Sequence, residues 1–155
     1  MPRIGILSPA ASETSGTLTA FREGIRNLGY VEGQTIALDF RLSKGITDSL
    51  PALAAELVRI PVNVIVTDGT SATLAAFAAT HSIPIVMGTT GGDPVALGLA
   101  KSLSRPGGNV TGIAYGPNVS EHFHLAAGYV DRILRGANPG DLPINVSSGI
   151  WPSSA

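Results

Sequence analysis

The stretch VNVIVTDGTSATLAAFAATHSIPIVMG, Val62 to Gly88, decides the fold. VNVIVT is an almost unbroken apolar run rich in β-branched residues, the pattern of a central strand buried on both faces. GTSATLAAFAAT then reads as a helix opening at Thr70 or Ser71. IPIVMG is again a short apolar strand. A strand, a helix and a second strand in this order form a crossover unit, which joins parallel strands.

The same alternation extends in both directions. RIGILS, ending at Ser8, predicts a first strand, and a helix follows from about Ser15 to Leu28. Leu18, Phe21, Ile25 and Leu28 share one face of it at helical spacing, and Gly29 supplies a stop. TIALDFRLS alternates strictly. Ile36, Leu38 and Phe40 lie on one side, with Thr35, Ala37, Asp39 and Arg41 on the other. That pattern predicts a half-exposed strand at a sheet edge. TDSLPALAAELVRI reads as a helix capped by Thr47 or Asp48, with Leu50, Leu53, Leu57 and Ile60 as its buried stripe and Pro61 as its end.

Beyond Gly88, Asp93 is placed as an N-cap with Pro94 at the first helical position. The predicted helix runs through Leu99 and Leu103 to a stop near Pro106. NVTGIAYG is a fifth strand. The last helix opens with Asn118 and Glu121 spaced as a capping box, turns Phe123, Ala127, Val130 and Leu134 inward, and closes at Gly136. Residues 137–155 are rich in Pro, Gly and Ser and are expected to be extended or disordered. Five strands alternating with five helices predict one α/β domain over residues 1–136. Its sheet is doubly wound, parallel and flavodoxin-like, in the order 2-1-3-4-5.

Composition narrows the function. Hydrophobic residues make up 44% of the 155 and charged residues 14%, which suits a chain with a well-buried sheet. A formal net charge of -1 with no basic stripe argues against a nucleic-acid partner. There is no cysteine, so disulfides, thiol catalysis and thiolate metal sites are excluded. No apolar run reaches membrane-spanning length. The start MPRIGILSPA lacks the apolar region of a secretory signal, so the chain as written is cytoplasmic or is a mature or truncated form.

In a doubly wound sheet, ligands bind outside the carboxyl ends of the strands near the switch in strand order. The loops there are SPAASETS, TDGTSA and GTTGGDP, small and polar with helix N-termini behind them. Backbone N–H groups and the helix dipole favour an anionic group at such a place. The candidate ligand-binding residues are Ser8, Ser12, Gly69, Thr70, Ser71, Thr89 and Asp93. Their hydroxyls and amides suit a carboxylate, and Asp93 suits an ammonium group. A plainer reading stands beside this one: Thr70, Ser71 and Asp93 serve as helix caps, and Gly91 and Gly92 only turn the chain.

Other chemistry has little support. Neither the G-x-x-x-x-G-K-[ST] nor the G-x-G-x-x-G pattern is present, and no cofactor is expected. His122 and His124 point apart on a helix, a poor pair of metal ligands, and are expected on a solvated face. Ser8 has no evident base and no G-x-S-x-G elbow, so no catalytic residue is assigned and no enzyme is expected.

Three segments carry a family resemblance: FREGIRNLGYVEGQTIALDFR, LPALAAELVRIPVNVIVTDGTSATLAA and IPIVMGTTGGDPVALGLAKSLSRPGGNVTG. Together, over roughly Arg3 to Gly112, they resemble the bacterial ABC-transporter substrate-binding proteins of the tryptophan/tyrosine-transport type. The resemblance implies an extracytoplasmic protein of two α/β lobes that clamps a small ligand, often an amino acid, and docks on a membrane permease. It implies that residues 1–112 match the first lobe, with the loops near Ser8, Thr70 and Asp93 facing the cleft. Residues 113–136, with YVDRILRGANPGDLP continuing to Pro143, resemble a stretch near the far end of the second lobe. Most of that lobe is therefore expected to be missing between Gly112 and Ile113. Two chains meeting at the open side of the sheet near Tyr115 would restore a cleft. Against this binding protein stand two alternatives: a stand-alone nucleotide- or phosphate-binding domain, and a folded deletion product that binds nothing.

Overall fold

A computed structural model describes residues 1–114 and 119–146. Its strands are β1 (Arg3–Ser8), β2 (Ala37–Leu42), β3 (Val64–Asp68), β4 (Ile85–Thr89) and β5 (Val110–Gly112). Its helices are α1 (Gly16–Asn27), α2 (Leu50–Arg59), α3 (Thr70–Ala79) and α4 (Val119–Leu134). The strands form one sheet in the order β2-β1-β3-β4-β5, and every pairing is parallel. The expected strand order and edge position of β2 are both found.

The pleat sends alternate side chains to opposite faces, and two cores result. Ile4, Ile6, Val64, Val66 and Val86 face α1 and α4, where Phe21, Ile25, Phe123 and Val130 meet them. Leu7, Ile65, Ile85, Met87 and Val110 face α2 and α3, against Leu50, Leu57, Ala72 and Ala76. The central strands are buried on both sides, which is why they read as unbroken apolar runs. Phe123 packs closely on β4 because position 88 is glycine: a Cβ there would lie 2.4 Å from the Phe123 ring.

The structure corrects several expectations. The helix predicted from Asp93 to Leu103 is a single turn. Asp93 Oδ1 accepts from the Val95 N–H at 2.9 Å, the Leu97 N–H reaches the Asp93 carbonyl at 2.9 Å, and the turn then ends. Gly98 lies at φ 79°, a left-handed conformation that stops a helix. Four α-helices, not five, are therefore present among the described residues. Leu28, expected inward, is 41% exposed, because it is the C-cap of α1 and has left the buried stripe. Thr47 and Asp48 do not cap α2; they lie in a 3₁₀ turn, Thr47–Ser49, that leads into it.

The tail carries order as far as it is described. A 3₁₀ turn, Pro139–Asp141, is followed by an extended segment in which Ile144 is buried. Asn145 exchanges hydrogen bonds with Gly112 and Ala114, and the Tyr129 hydroxyl donates to the Pro143 carbonyl. The side of the sheet beyond β5, expected to be open, is thus partly covered by residues 144 and 145. Tyr115, proposed near a dimer surface, and Asn118 of the capping box lie outside the described residues, as do residues 147–155.

Candidate functional site

All strands run the same way, so the loops after β1, β2, β3 and β4 share one edge of the sheet. Asp68, the last residue of β3, stands at the centre of that edge. Its carboxylate accepts from the Ser8 hydroxyl at 2.7 Å and more weakly from Thr17 Oγ1 at 3.5 Å. Ser8 is fully buried at the tip of β1, and its Oγ also accepts from the Ala10 N–H at 3.1 Å. Burial raises the Asp68 carboxyl above its ordinary value, and the two hydroxyl donors only partly offset this. Among the described residues no cation forms an ion pair with Asp68.

Two helices begin beside it. Ser15 is the N-cap of α1 and Gly69, at φ 96°, is the N-cap of α3; neither helix has a side-chain cap hydrogen bond. The first N–H groups of both helices are therefore left for solvent or a ligand. Thr70 is not a cap. Its Oγ1 accepts from the Gly91 N–H at 3.0 Å and pairs with Thr90 Oγ1 at 2.9 Å, so the β3 and β4 loops are tied together. Thr90 is buried, and its Oγ1 accepts from the Gly92 N–H at 3.3 Å.

Of the residues picked from sequence, Ser8, Gly69 and Thr70 meet around Asp68 and the Thr90 loop. Ser71 is exposed in the first turn of α3, and Thr89 takes part through its carbonyl, which accepts from the Gly69 N–H at 3.2 Å. Ser12 is exposed, with its hydroxyl tied to Thr14 in its own loop. Asp93 keeps the plainer role of closing its own turn. Sequence reading missed Asp68, Thr17 and Thr90. For Asp68 a signal existed: a carboxylate ends an otherwise apolar central strand, directly before glycine.

His122 also departs from expectation. It is 1% exposed rather than solvated, and burial lowers its pKa. His124 is half-buried and lies 3.4 Å from the Glu23 carboxylate. Among the described residues no group of three or more His, Asp or Glu is placed to hold a metal, and no helix is long and apolar enough to cross a membrane. A separate groove of about 500 Å³ lies between α1 and α4, lined by Gly24, Leu28, His124, Leu125 and Tyr129. It sits at the C-terminal end of α1, toward the opposite edge of the sheet.

A five-stranded parallel sheet in this order, with polar loops and helix N-termini at the strand tips, defines one lobe of a periplasmic-binding-protein fold. The sequence profile of the ABC transporter substrate binding proteins matches residues 9–125, well over half of the chain. The chain belongs to this family, whose members are substrate-binding transport proteins rather than enzymes. It is 37% identical over 92 residues to a tyrosine-binding protein of Clostridioides difficile. That stretch is 59% of this chain but 26% of the relative, so the chain spans about a quarter of that protein's length.

Two solved structures share the fold. One is an ABC domain from Streptococcus pneumonia in complex with L-Trp, with TM-score 0.86 and 16% identity over 95% of this chain and 89% of that one. The other is the ligand-free, open form of a substrate-binding protein with adhesive properties from Clostridium difficile. There the TM-score is 0.68 and the identity 24%, over 99% of this chain and 59% of that one.

Proposed function

We propose that this chain binds a small amino-acid-like solute at the strand-tip edge, as the substrate-binding component of an ABC transporter. The observation that carries this reading is a half-buried carboxylate that has no ion-pair partner among the described residues, set beside two helix N-termini without a side-chain cap. Asp68 suits an α-ammonium group, and the N-termini of α1 and α3, with the Thr70 hydroxyl, suit an α-carboxylate. A zwitterion satisfies both at once. A phosphate would satisfy only the second and would meet the charge of Asp68. The names of two relatives, tyrosine-binding and solved with L-Trp, favour an aromatic side chain. In this reading the ammonium partner is Asp68 rather than Asp93.

Docking on a permease outside the cytoplasm completes the proposal and rests on family membership. One lobe offers one wall, whereas small-molecule sites bury about 70–90% of a ligand. The residues of this lobe alone therefore give modest affinity.

Thermal melts with L-tyrosine, L-tryptophan, tyramine, 4-hydroxyphenylpropionate and inorganic phosphate test the reading. A ligand at roughly 100 times its Kd stabilises by about 2.7 kcal/mol. The expected result is a raised midpoint with an amino acid and a loss of the response in analogues lacking either charged group. A shift with phosphate alone would favour the phosphate-binding alternative. A cooperative melt that nothing shifts would favour the deletion product.

A further inference from the structure

Thr70 and Thr90 share one hydrogen bond but carry two hydroxyl protons. Their Oγ1 atoms lie 2.9 Å apart, and by geometry either can donate. Each oxygen also accepts from the backbone, Thr70 Oγ1 from the Gly91 N–H at 3.0 Å and Thr90 Oγ1 from the Gly92 N–H at 3.3 Å. Among the described residues neither hydroxyl has an acceptor other than its partner. One proton therefore fills the bridge and the other is left over. Thr90 is 1% exposed, whereas Thr70 is half-buried at the start of α3. If Thr70 donated, the leftover proton would belong to Thr90, shut away from water without an acceptor, which disfavours that arrangement by about tenfold. If Thr90 donates, the leftover proton belongs to Thr70, which reaches solvent.

We infer that Thr90 is a positioning residue that makes Thr70 a donor only. With the Gly91 N–H and the Thr90 hydroxyl both directed at it, Thr70 Oγ1 has its two lone pairs occupied, and its own proton points out of the pair. This point of the edge then takes a hydrogen-bond acceptor, such as a carboxylate oxygen, and refuses an ammonium group. Asp68, two residues earlier, is the converse. Both its hydroxyl contacts fall on Oδ2, so Oδ1 has no hydrogen-bond partner among the described residues and, ionised, can only accept. A donor-only group and an acceptor-only group two residues apart admit a zwitterion one way round, ammonium to Asp68 and carboxylate to Thr70. The direction of the ligand rests on the proposed function; the order of the two protons does not.

Nuclear magnetic resonance of the 155-residue chain, labelled with carbon-13 at threonine Cβ and dissolved in equal parts of water and heavy water, reads the two protons directly. A hydroxyl that exchanges slowly splits its Cβ resonance into a protonated and a deuterated signal, and one that exchanges quickly gives a single average. In the ligand-free protein Thr90 should split and Thr70 should average; any other pattern of the two overturns the inference. Excess L-tyrosine should then split Thr70 as well, because a carboxylate holds its proton, and tyramine should not. Thr90→Val should weaken L-tyrosine binding about tenfold, and Thr90→Ser, which keeps the hydroxyl, should restore it. On a Thr70→Val background Thr90→Val should cost no further affinity, because Thr90 acts through Thr70. An equal loss on that background would make Thr90 a tie between loops and overturn its positioning role. The expected proton pattern without any response to L-tyrosine would leave the proton order standing and refute the ligand reading.

Discussion

Asp68 is a carboxylate whose charge the fold makes costly. Its carboxyl is raised above the ordinary carboxylate value of 3.8, chiefly by burial. In the window between its unfolded and folded pKa the native state holds more protons than the unfolded one. Its contribution to stability is therefore present in full below about pH 3.8 and is lost as pH rises through the folded value. Asp68→Asn keeps an oxygen to accept from Ser8 but carries no charge. We expect this variant to melt higher than the wild type at pH 7 and to lack the decline in that acid window. It should also lose its thermal response to an amino acid. Melts across pH with and without L-tyrosine check both outcomes, and a variant less stable at pH 7 would contradict the argument. The Ser8 contact was beyond reach of sequence reading because residues 8 and 68 become neighbours only through the pairing of β1 with β3.

At the level of elements, α4 is the piece whose placement matters most. Its inward residues pack against α1 and close one face of the single sheet. Phe123 is fully buried over the glycine of β4. Truncating it to alanine removes a large side chain and leaves a cavity, so Phe123→Ala should cost about 3–5 kcal/mol in denaturant unfolding. A cost below 1 kcal/mol, on the order of an exposed site, would place α4 off the sheet. The inward face of this helix was legible as a 3.6-residue period. The failed helix after Asp93 was not. Asp93-Pro94 is a sound start signal, but the turn it opens meets Gly98 in a left-handed conformation, φ 79°, and ends there.

For the whole molecule, residues 1–114 and 119–146 share both cores. Val130 and Ile133 pack in one, and Ala114 and Ile144 in the other. The segment after Gly112 is therefore expected to unfold together with the rest of the chain rather than as a loose appendage. Thermal unfolding followed by far-UV circular dichroism and by tyrosine fluorescence should give one coincident transition. Two separated transitions would mean that the segment after Gly112 folds on its own account.

What the sequence determined alone was the architecture. Unbroken apolar runs, helical spacing and glycine stops are local patterns, and five of them in alternation admit few sheets other than this one. The family was legible for the same reason, since its segments are contiguous. What only the tertiary structure decided was the site. Asp68 with Ser8 and Thr17, and Thr70 with Thr90 and Gly91, join residues 20 to 60 positions apart. The tertiary fold likewise buried His122 and brought Asn145 against β5. Spacing along the chain records the period of a strand or helix, but not which strand tips will stand side by side. That depends on crossovers that exist only once the sheet has formed.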